Sequence, residues 1–222
     1  MTMIAEQNPS NLRATTARGW AAAALATVAL VLICYFVVDK PLATFVYQNL
    51  KPWRRQFDWL THLIDPFPTV GLIAVACAIF LYARDAMPGA ILRKLLRVAV
   101  ALCVAIVAKD QLKYAFGRLW PETWILNNPS WFRDGAYGFF PFHGGPGWAA
   151  FPSGHTTIAF ALAASLWCIW PRGRVIYVLG AALVVVGLIG ANYHWLSDIV
   201  AGAALGSAIG IVAARFGAEK EA

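Results

Sequence analysis

Long apolar runs dominate the chain, and this feature constrains its fold more than any other. A helix that crosses the hydrocarbon core of a bilayer needs about 20 mainly apolar residues. Six runs approach or reach that length: residues 20–38, 67–83, 96–116, 156–170, 175–193 and 199–216. Only 13% of the 222 residues are charged, whereas a soluble domain carries about 25%. We therefore expect an all-α integral membrane protein, a bundle of six transmembrane helices.

The segments between these runs complete the expected architecture, a single membrane domain over residues 1–222. A cytoplasmic N-terminal tail, residues 1–18, precedes the first run, and a C-terminal tail, residues 217–222, follows the last. Residues 51–60 are amphipathic and predict an interfacial helix. Residues 117–152 form a long polar and aromatic loop rich in Gly, Pro and Trp. Six spans place both termini on one side of the membrane.

The distribution of Lys and Arg predicts the orientation, because cytoplasmic loops carry an excess of these residues. With the N terminus inside, ten of the 18 Lys and Arg residues fall in cytoplasmic segments. The long loop and the polar motifs described below then face the extracytoplasmic side. We expect the membrane to be a bacterial inner membrane, so this side would be the periplasmic one. The net charge of +7 suits contact with anionic membrane lipids. No basic stripe with interleaved aromatic residues indicates nucleic-acid binding.

Three polar clusters interrupt the apolar pattern, and all three fall at helix ends on the expected outer side. They are residues 113–121 (KYAFGRLWP), 152–155 (PSGH) and 193–198 (YHWLSD). Ionisable residues at membrane depth are costly, so they are functional candidates by default.

The PSGH cluster lies at the predicted start of a helix. Backbone amides at a helix start are unpaired, and the helix dipole adds positive potential, so Ser153 and Gly154 predict an anion site. His155 is placed to donate a proton to a leaving oxygen. The alternative interpretation is a Ser N-cap beside a polar histidine that already has its partners.

The third cluster holds a histidine and a carboxylate four residues apart. On a helix, His194 and Asp198 would share a face, and Asp198 would accept from one ring nitrogen of His194. Lys113 and Arg118 supply permanent cations suited to a phosphoryl group. The alternatives are an ordinary ion pair at the interface and cations that extend to lipid headgroups. We expect no metal and no cofactor, because no carboxylate cluster with ligand spacing accompanies the histidines.

The order of these motifs resembles the type 2 phosphatidic acid phosphatase superfamily, the membrane lipid phosphatases related to vanadium haloperoxidases. The resemblance covers about residues 113–202. It implies a six-helix membrane bundle, hydrolysis without a metal, an extracytoplasmic site and a phosphohistidine intermediate. It also implies the following roles: nucleophile His194, orienting carboxylate Asp198, general acid His155, and phosphate binders Lys113, Ser153 and Gly154.

Two motifs depart from the family pattern. In the family motif K-x6-R-P, the arginine position holds Trp120. In the motif S-R-x5-H, the serine and arginine positions hold Gly187 and Leu188. Arg118, two residues before Trp120, and Arg133 in the loop are the candidates to replace the missing cations.

The expected function is hydrolysis of a lipid phosphate or diphosphate through a phosphohistidine. Candidate substrates are undecaprenyl diphosphate, phosphatidylglycerol phosphate, phosphatidic acid and lipid A. Two alternatives stay open: transfer of the phosphoryl group to another lipid or sugar, and lipid-phosphate binding without catalysis. The expected partners are the lipid phosphate and the surrounding membrane lipids.

Overall fold

The computed structural model describes residues 9–84 and 89–216, and most of that length is helical. The helices are α1 Pro9–Ile33, α2 Asp39–Asn49, α3 Arg54–Thr61, α4 Pro66–Ala83, α5 Ala90–Phe116, α6 Trp131–Asp134, α7 Gly154–Ile169, α8 Arg174–Gly190 and α9 Leu196–Arg215. One π-helical turn, Cys34–Val38, joins α1 to α2. The expected C-terminal tail, residues 217–222, lies outside the described residues, and so do residues 1–8 of the expected N-terminal tail. Helix α1 begins at Pro9 and therefore includes the rest of the N-terminal tail.

Among the described residues, four helical stretches are long and apolar enough to cross a membrane, which indicates an integral membrane protein. They are Ala17–Asn49, Lys51–Ala83, Pro171–Gly190 and Leu196–Arg215. Helix α7 is apolar but shorter, and α5 carries charged residues near both ends. The all-α class is confirmed, whereas the number of six spans stays a prediction.

Helix α7 lies at the centre of the bundle and packs against α5, α8 and α9. Apolar side chains from these helices form the main core, including Leu102, Ile158, Val184 and Ile199. Helix α4 packs on α5, helix α1 on α9, and helix α3 on α8. This arrangement places the N-terminal end of α7 next to that of α9.

A stripe of glycines on α9 sets how closely it approaches α7. Gly202, Gly206 and Gly210 recur every fourth residue, so they lie on one face of the helix. A methyl group on Gly202 would lie 2.6 Å from the Ser153 carbonyl oxygen, and the other two face α7 carbonyls just as closely. Small residues allow such contact in membrane helices, where packing rather than water exclusion drives association. The stripe therefore holds residues 152–155 against the start of α9.

Two predicted boundaries near the site are wrong. Helix α8 ends at Gly190 rather than near Tyr193, because Asn192 adopts a left-handed conformation with φ of 58°. Helix α7 begins at Gly154, two residues earlier than expected. His194 consequently lies in the short turn between α8 and α9 rather than on a helix.

Candidate active site

The structure brings the PSGH cluster and the histidine–aspartate cluster together. The Ser153 amide donates to the Asp198 carbonyl oxygen at 3.0 Å. This bond joins the residue before α7 to the first turn of α9. The two clusters are thus held together by backbone as well as by the glycine stripe.

His194 and Asp198 form the contact that their spacing suggests, but not through a shared helix face. His194 Nδ1 lies 3.3 Å from Asp198 Oδ2. Asp198 lies in the first turn of α9 and reaches back, and the same oxygen accepts the Trp195 amide at 3.0 Å. A carboxylate at this position also satisfies the open helix end. The pair fixes the orientation of the ring and leaves Nε2 as the nitrogen turned away from Asp198.

His194 is buried beneath an aromatic ring. Its exposed fraction is 6%, and the Trp120 ring centroid lies 4.8 Å from that of the imidazole. Trp120 Nε1 donates to the Pro146 carbonyl at 2.8 Å, which ties the indole to the long loop. Burial lowers the pKa of His194 well below its usual range, and the charge of Lys113 adds to this effect, whereas the Ala150 carbonyl opposes it. The ring is therefore neutral at physiological pH.

Lys113, in the last turn of α5, lies beside the start of α7. Its Nζ donates to the Ala149 carbonyl at 2.6 Å, and its Cε would lie 3.6 Å from a methyl group on Gly154. The ammonium is 5.6 Å from the centre of the Trp120 ring. An ammonium has three donors, so Lys113 retains donors for an anion at this helix start.

His155 is partly exposed and faces a second histidine–carboxylate pair. Its Nε2 lies 3.4 Å from Asp65 Oδ1, and Asp65 Oδ2 lies 2.6 Å from His62 Nδ1. Asp65 immediately precedes α4 and belongs to none of the three sequence clusters. No sequence motif indicates Asp65, because its proximity to His155 depends on how α3 and α4 pack beside α7.

Arg118 does not lie where a phosphate-binding residue would lie. Its exposed fraction is 0%, and its two terminal nitrogens donate to four protein oxygens. These bonds reach Ser197 Oγ at 2.5 Å, Asp198 Oδ1 at 2.6 Å, Asp39 Oδ2 at 2.7 Å and Tyr137 Oη at 3.2 Å. Burial opposes its charge, but Asp198 and Asp39 together raise the pKa of Arg118 above its usual range. The structure thus places this cation behind Asp198, with no terminal N–H left for phosphate.

Asp39 is the second carboxylate that Arg118 contacts in this buried network, and none of the three sequence clusters includes it. It is 1% exposed and lies at the first residue of α2, directly after the π-helical turn. Its oxygens accept from the Ser197 amide at 2.9 Å and the Ser197 hydroxyl at 2.5 Å, in addition to Arg118. A carboxylate just after an apolar run was the available signal, since such residues are functional candidates.

The Ser153 amide, expected to face phosphate, is already used in the bond to Asp198. The Ser153 side chain is also buried, and its hydroxyl accepts from Thr156 Oγ1 at 3.0 Å. Gly154 remains at the helix start, where amides lack acceptors within the helix. The backbone amides left available to an anion are therefore those of the first turn of α7, after Ser153.

The departures from the family motifs are also visible in the structure. Leu188 is 0% exposed and belongs to the apolar core. Arg133, the loop candidate, donates to Asp134 at 2.9 Å and to the Asn127 carbonyl at 3.1 Å. Within residues 9–84 and 89–216, no group of three or more His, Cys, Asp and Glu side chains is arranged to hold a metal ion.

The fold and this constellation define a helical membrane protein with a buried histidine–carboxylate pair beside a helix start that suits an anion. The chain belongs to the PAP2 superfamily, whose sequence model matches residues 94–221. The resemblance inferred from the motifs is thereby confirmed.

Two curated relatives from rhizobia match part of the chain. One is the lipid A 1-phosphatase of Rhizobium johnstonii, 36% identical over 102 residues, which cover 43% of this chain and 36% of the relative. Another is the lipid A 1-phosphatase of Rhizobium etli, 37% identical over 101 residues, which cover 43% of this chain and 38% of the relative. The chain thus spans little more than a third of the length of these relatives. No solved structure matches it significantly.

Proposed function

We propose that this protein is a membrane phosphatase that hydrolyses a lipid phosphate through a phosphohistidine intermediate. The observation that carries the proposal is the His194–Asp198 pair at the start of α9, beside the start of α7, in a chain of the PAP2 superfamily. The names of the two relatives favour a phosphorylated glycolipid such as lipid A as the first substrate to test.

The proposed reaction has two steps. His194 Nε2 attacks phosphorus in line, the bond from phosphorus to the lipid oxygen breaks, and His155 gives its proton to that oxygen. Water, activated by transfer of a proton to the now neutral His155, then attacks the phosphohistidine; the nitrogen–phosphorus bond breaks, inorganic phosphate leaves, and both histidines return to their starting states. Lys113 and the first-turn amides of α7 stabilise the charge on the phosphoryl oxygens. Asp198 orients His194, and Arg118 and Asp39 hold Asp198 in place.

The proposed architecture is one domain over residues 1–222 with six spans, formed by α1, α4, α5, α7, α8 and α9. The loop of residues 117–152 and the site lie on the extracytoplasmic side, which is the periplasmic side of a bacterial inner membrane. The basic residues at the opposite ends of the helices support this orientation. The amphipathic segment before α4 is proposed to lie at the interface.

Release of inorganic phosphate from a panel of lipids tests the proposal. The panel contains lipid A, undecaprenyl diphosphate, phosphatidylglycerol phosphate and phosphatidic acid, each in mixed micelles with purified protein. Steady release supports hydrolysis, whereas release that depends on an added lipid or sugar acceptor indicates a phosphotransferase. Binding without turnover indicates a lipid-phosphate-binding protein, an alternative favoured by the Trp120 ring that covers His194.

Chelators should leave turnover unchanged, and vanadate should inhibit it. Side-chain cations and backbone amides supply the positive charge in the proposed site, and trigonal-bipyramidal vanadate resembles the phosphoryl transition state. Phosphate release is measured with and without EDTA, and then across a vanadate titration. Loss of activity in EDTA that Mg²⁺ or Zn²⁺ restores would replace this mechanism with a metal-assisted one.

Acidification from pH 7 to 5.5 should not lower kcat/KM, because it leaves the nucleophile neutral and favours the protonated form of His155, the proposed general acid. The neutral imidazole is the nucleophile, and burial keeps the pKa of His194 far below its usual range, so acidification from pH 7 to 5.5 leaves it unprotonated. The quantity to measure is kcat/KM, corrected for ionisation of the phosphate group by ³¹P NMR of the same micelles. A tenfold fall per unit below about pH 6.5 would indicate an ordinary histidine.

Replacing Trp120 by arginine should preserve or increase turnover. The family places an arginine at this position, and the indole lies over His194 within 5.6 Å of the Lys113 ammonium. The variant restores a bidentate phosphate donor and removes the ring that covers the nucleophile. Phosphate release is compared with that of Trp148→Arg, an aromatic substitution elsewhere in the same loop. A tenfold loss in Trp120→Arg alone would show that the indole itself is needed.

A further inference from the structure

Two lysines, not one, line the start of α7. Lys109 and Lys113 are one turn apart on α5, so they lie on the same face of that helix. A methyl group on Gly154 would lie 3.1 Å from Lys109 Cδ and 3.6 Å from Lys109 Cε, the same distance as from Lys113 Cε. Both side chains therefore pass across the glycine of the PSGH cluster. The sequence motifs singled out only Lys113.

The charge balance of the site shows why a second lysine matters. A phosphate monoester carries a charge of about −1.5 to −2 near neutral pH. The two arginine positions of the family hold Trp120 and Leu188, and Arg118 is consumed by Asp39, Ser197 and Asp198. One ammonium, Lys113, would otherwise face the dianion.

We propose that Lys109 is a second phosphate-binding cation of this site and works beside Lys113. This inference rests on the proposed function and names a binding residue for it. Lys109 Nζ is paired with Asp110 at 2.5 Å; the Lys109 side chain is 17% exposed and the Asp110 side chain 54%. A pair whose carboxylate is open to solvent is weak. The ammonium can therefore exchange this carboxylate for a phosphate oxygen, or hold both, because it has three donors.

The chemistry also predicts which substitutions preserve the role. Lys109→Arg keeps the positive charge and supplies additional donors, so most activity should remain. Lys109→Gln keeps length and polarity but removes the charge. Asp110→Asn removes the competing carboxylate and should leave phosphate binding unchanged or tighter. Lys94→Gln, at the other end of α5, is the matched control for loss of one lysine from this helix.

Vanadate binding and lipid phosphate turnover together test the proposal. Calorimetry measures the vanadate Kd of each folded variant, and phosphate release gives kcat and KM. Lys109→Gln should weaken vanadate binding by about tenfold or more and lower kcat/KM by about 10², whereas Lys94→Gln matches wild type. If Lys109→Arg retains most of the vanadate binding and of kcat/KM, the positive charge is the property that matters. A packing role would not favour arginine over glutamine.

The outcomes separate this proposal from the proposed function. One outcome is that wild type releases phosphate and Lys109→Gln stays within twofold of wild type in both vanadate Kd and kcat/KM. This result would overturn the role of Lys109 and leave the phosphatase proposal intact. Vanadate binding that depends on Lys109, in a protein that releases no phosphate from any lipid, would support the anion site and overturn hydrolysis. Equal losses in Lys109→Gln and Lys109→Arg would indicate packing and also overturn the charge role.

Discussion

Replacing His194 by alanine is expected to abolish phosphate release while leaving the protein folded. The imidazole is the proposed covalent nucleophile; Asp198 orients it and the Trp120 ring covers it. Removal of a covalent nucleophile costs about 10⁴-fold or more in rate. Turnover is measured at saturating lipid substrate and normalised to monodisperse protein in detergent.

A matched variant separates chemistry from folding in this experiment. His143→Ala removes an exposed loop histidine that packs on Trp148, so its turnover should match wild type. The phosphoenzyme provides a second measurement, because acid-labile, alkali-stable ³²P should label wild type but not His194→Ala. Turnover of His194→Ala within tenfold of wild type would exclude the proposed nucleophile.

The second large effect is expected from Arg118→Lys, although the charge is kept. The guanidinium bridges Asp39, Ser197 and Asp198 in a fixed planar geometry that a single ammonium cannot reproduce. Each buried partner left without its hydrogen bond costs about 1–3 kcal/mol. We expect loss of more than about 90% of kcat, since Asp198 is then free to leave His194, and lower thermal stability.

The measurements for Arg118→Lys are kcat, KM and the unfolding temperature in one detergent. A positioning role predicts that kcat falls while KM changes little, because the structure places this residue behind Asp198 rather than at phosphate. The control is Arg133→Lys, which changes an exposed loop arginine paired with Asp134. A large rise in KM at unchanged kcat would instead indicate direct phosphate binding by Arg118, the role predicted from the sequence.

Local motifs were the part of the site that the sequence could predict. Apolar runs indicated the helical membrane class, and the spacing of His194 and Asp198 indicated their contact. The polar cluster at Ser153 correctly indicated a helix start. These features depend on neighbours within a few residues, so pattern and spacing carry the information.

Contacts between distant segments were the part that the sequence could not predict. The sequence predicts phosphate binding for Arg118, because its buried partners Asp39 and Asp198 are 79 and 80 residues away and leave no local signal. Asp65 reaches His155, and Lys109 reaches Gly154, only once the helices pack. A cation near a motif has the same appearance in sequence whether it faces a substrate or a buried carboxylate. Burial decides between the two, and burial is a property of the whole bundle.

The position of Asp39 limits which part of the chain can be expressed or transferred by itself. This carboxylate lies in α2, outside residues 94–221 that match the family, yet it holds the Arg118 guanidinium behind the His194–Asp198 pair. A fragment trimmed to the family segment would leave Arg118 with one carboxylate instead of two and Ser197 without its acceptor. The smallest fragment expected to keep this network therefore includes α1, the π-helical turn and α2 in addition to residues 94–221. Chimeras that exchange residues 94–221 between family members should retain a carboxylate at the recipient position equivalent to Asp39.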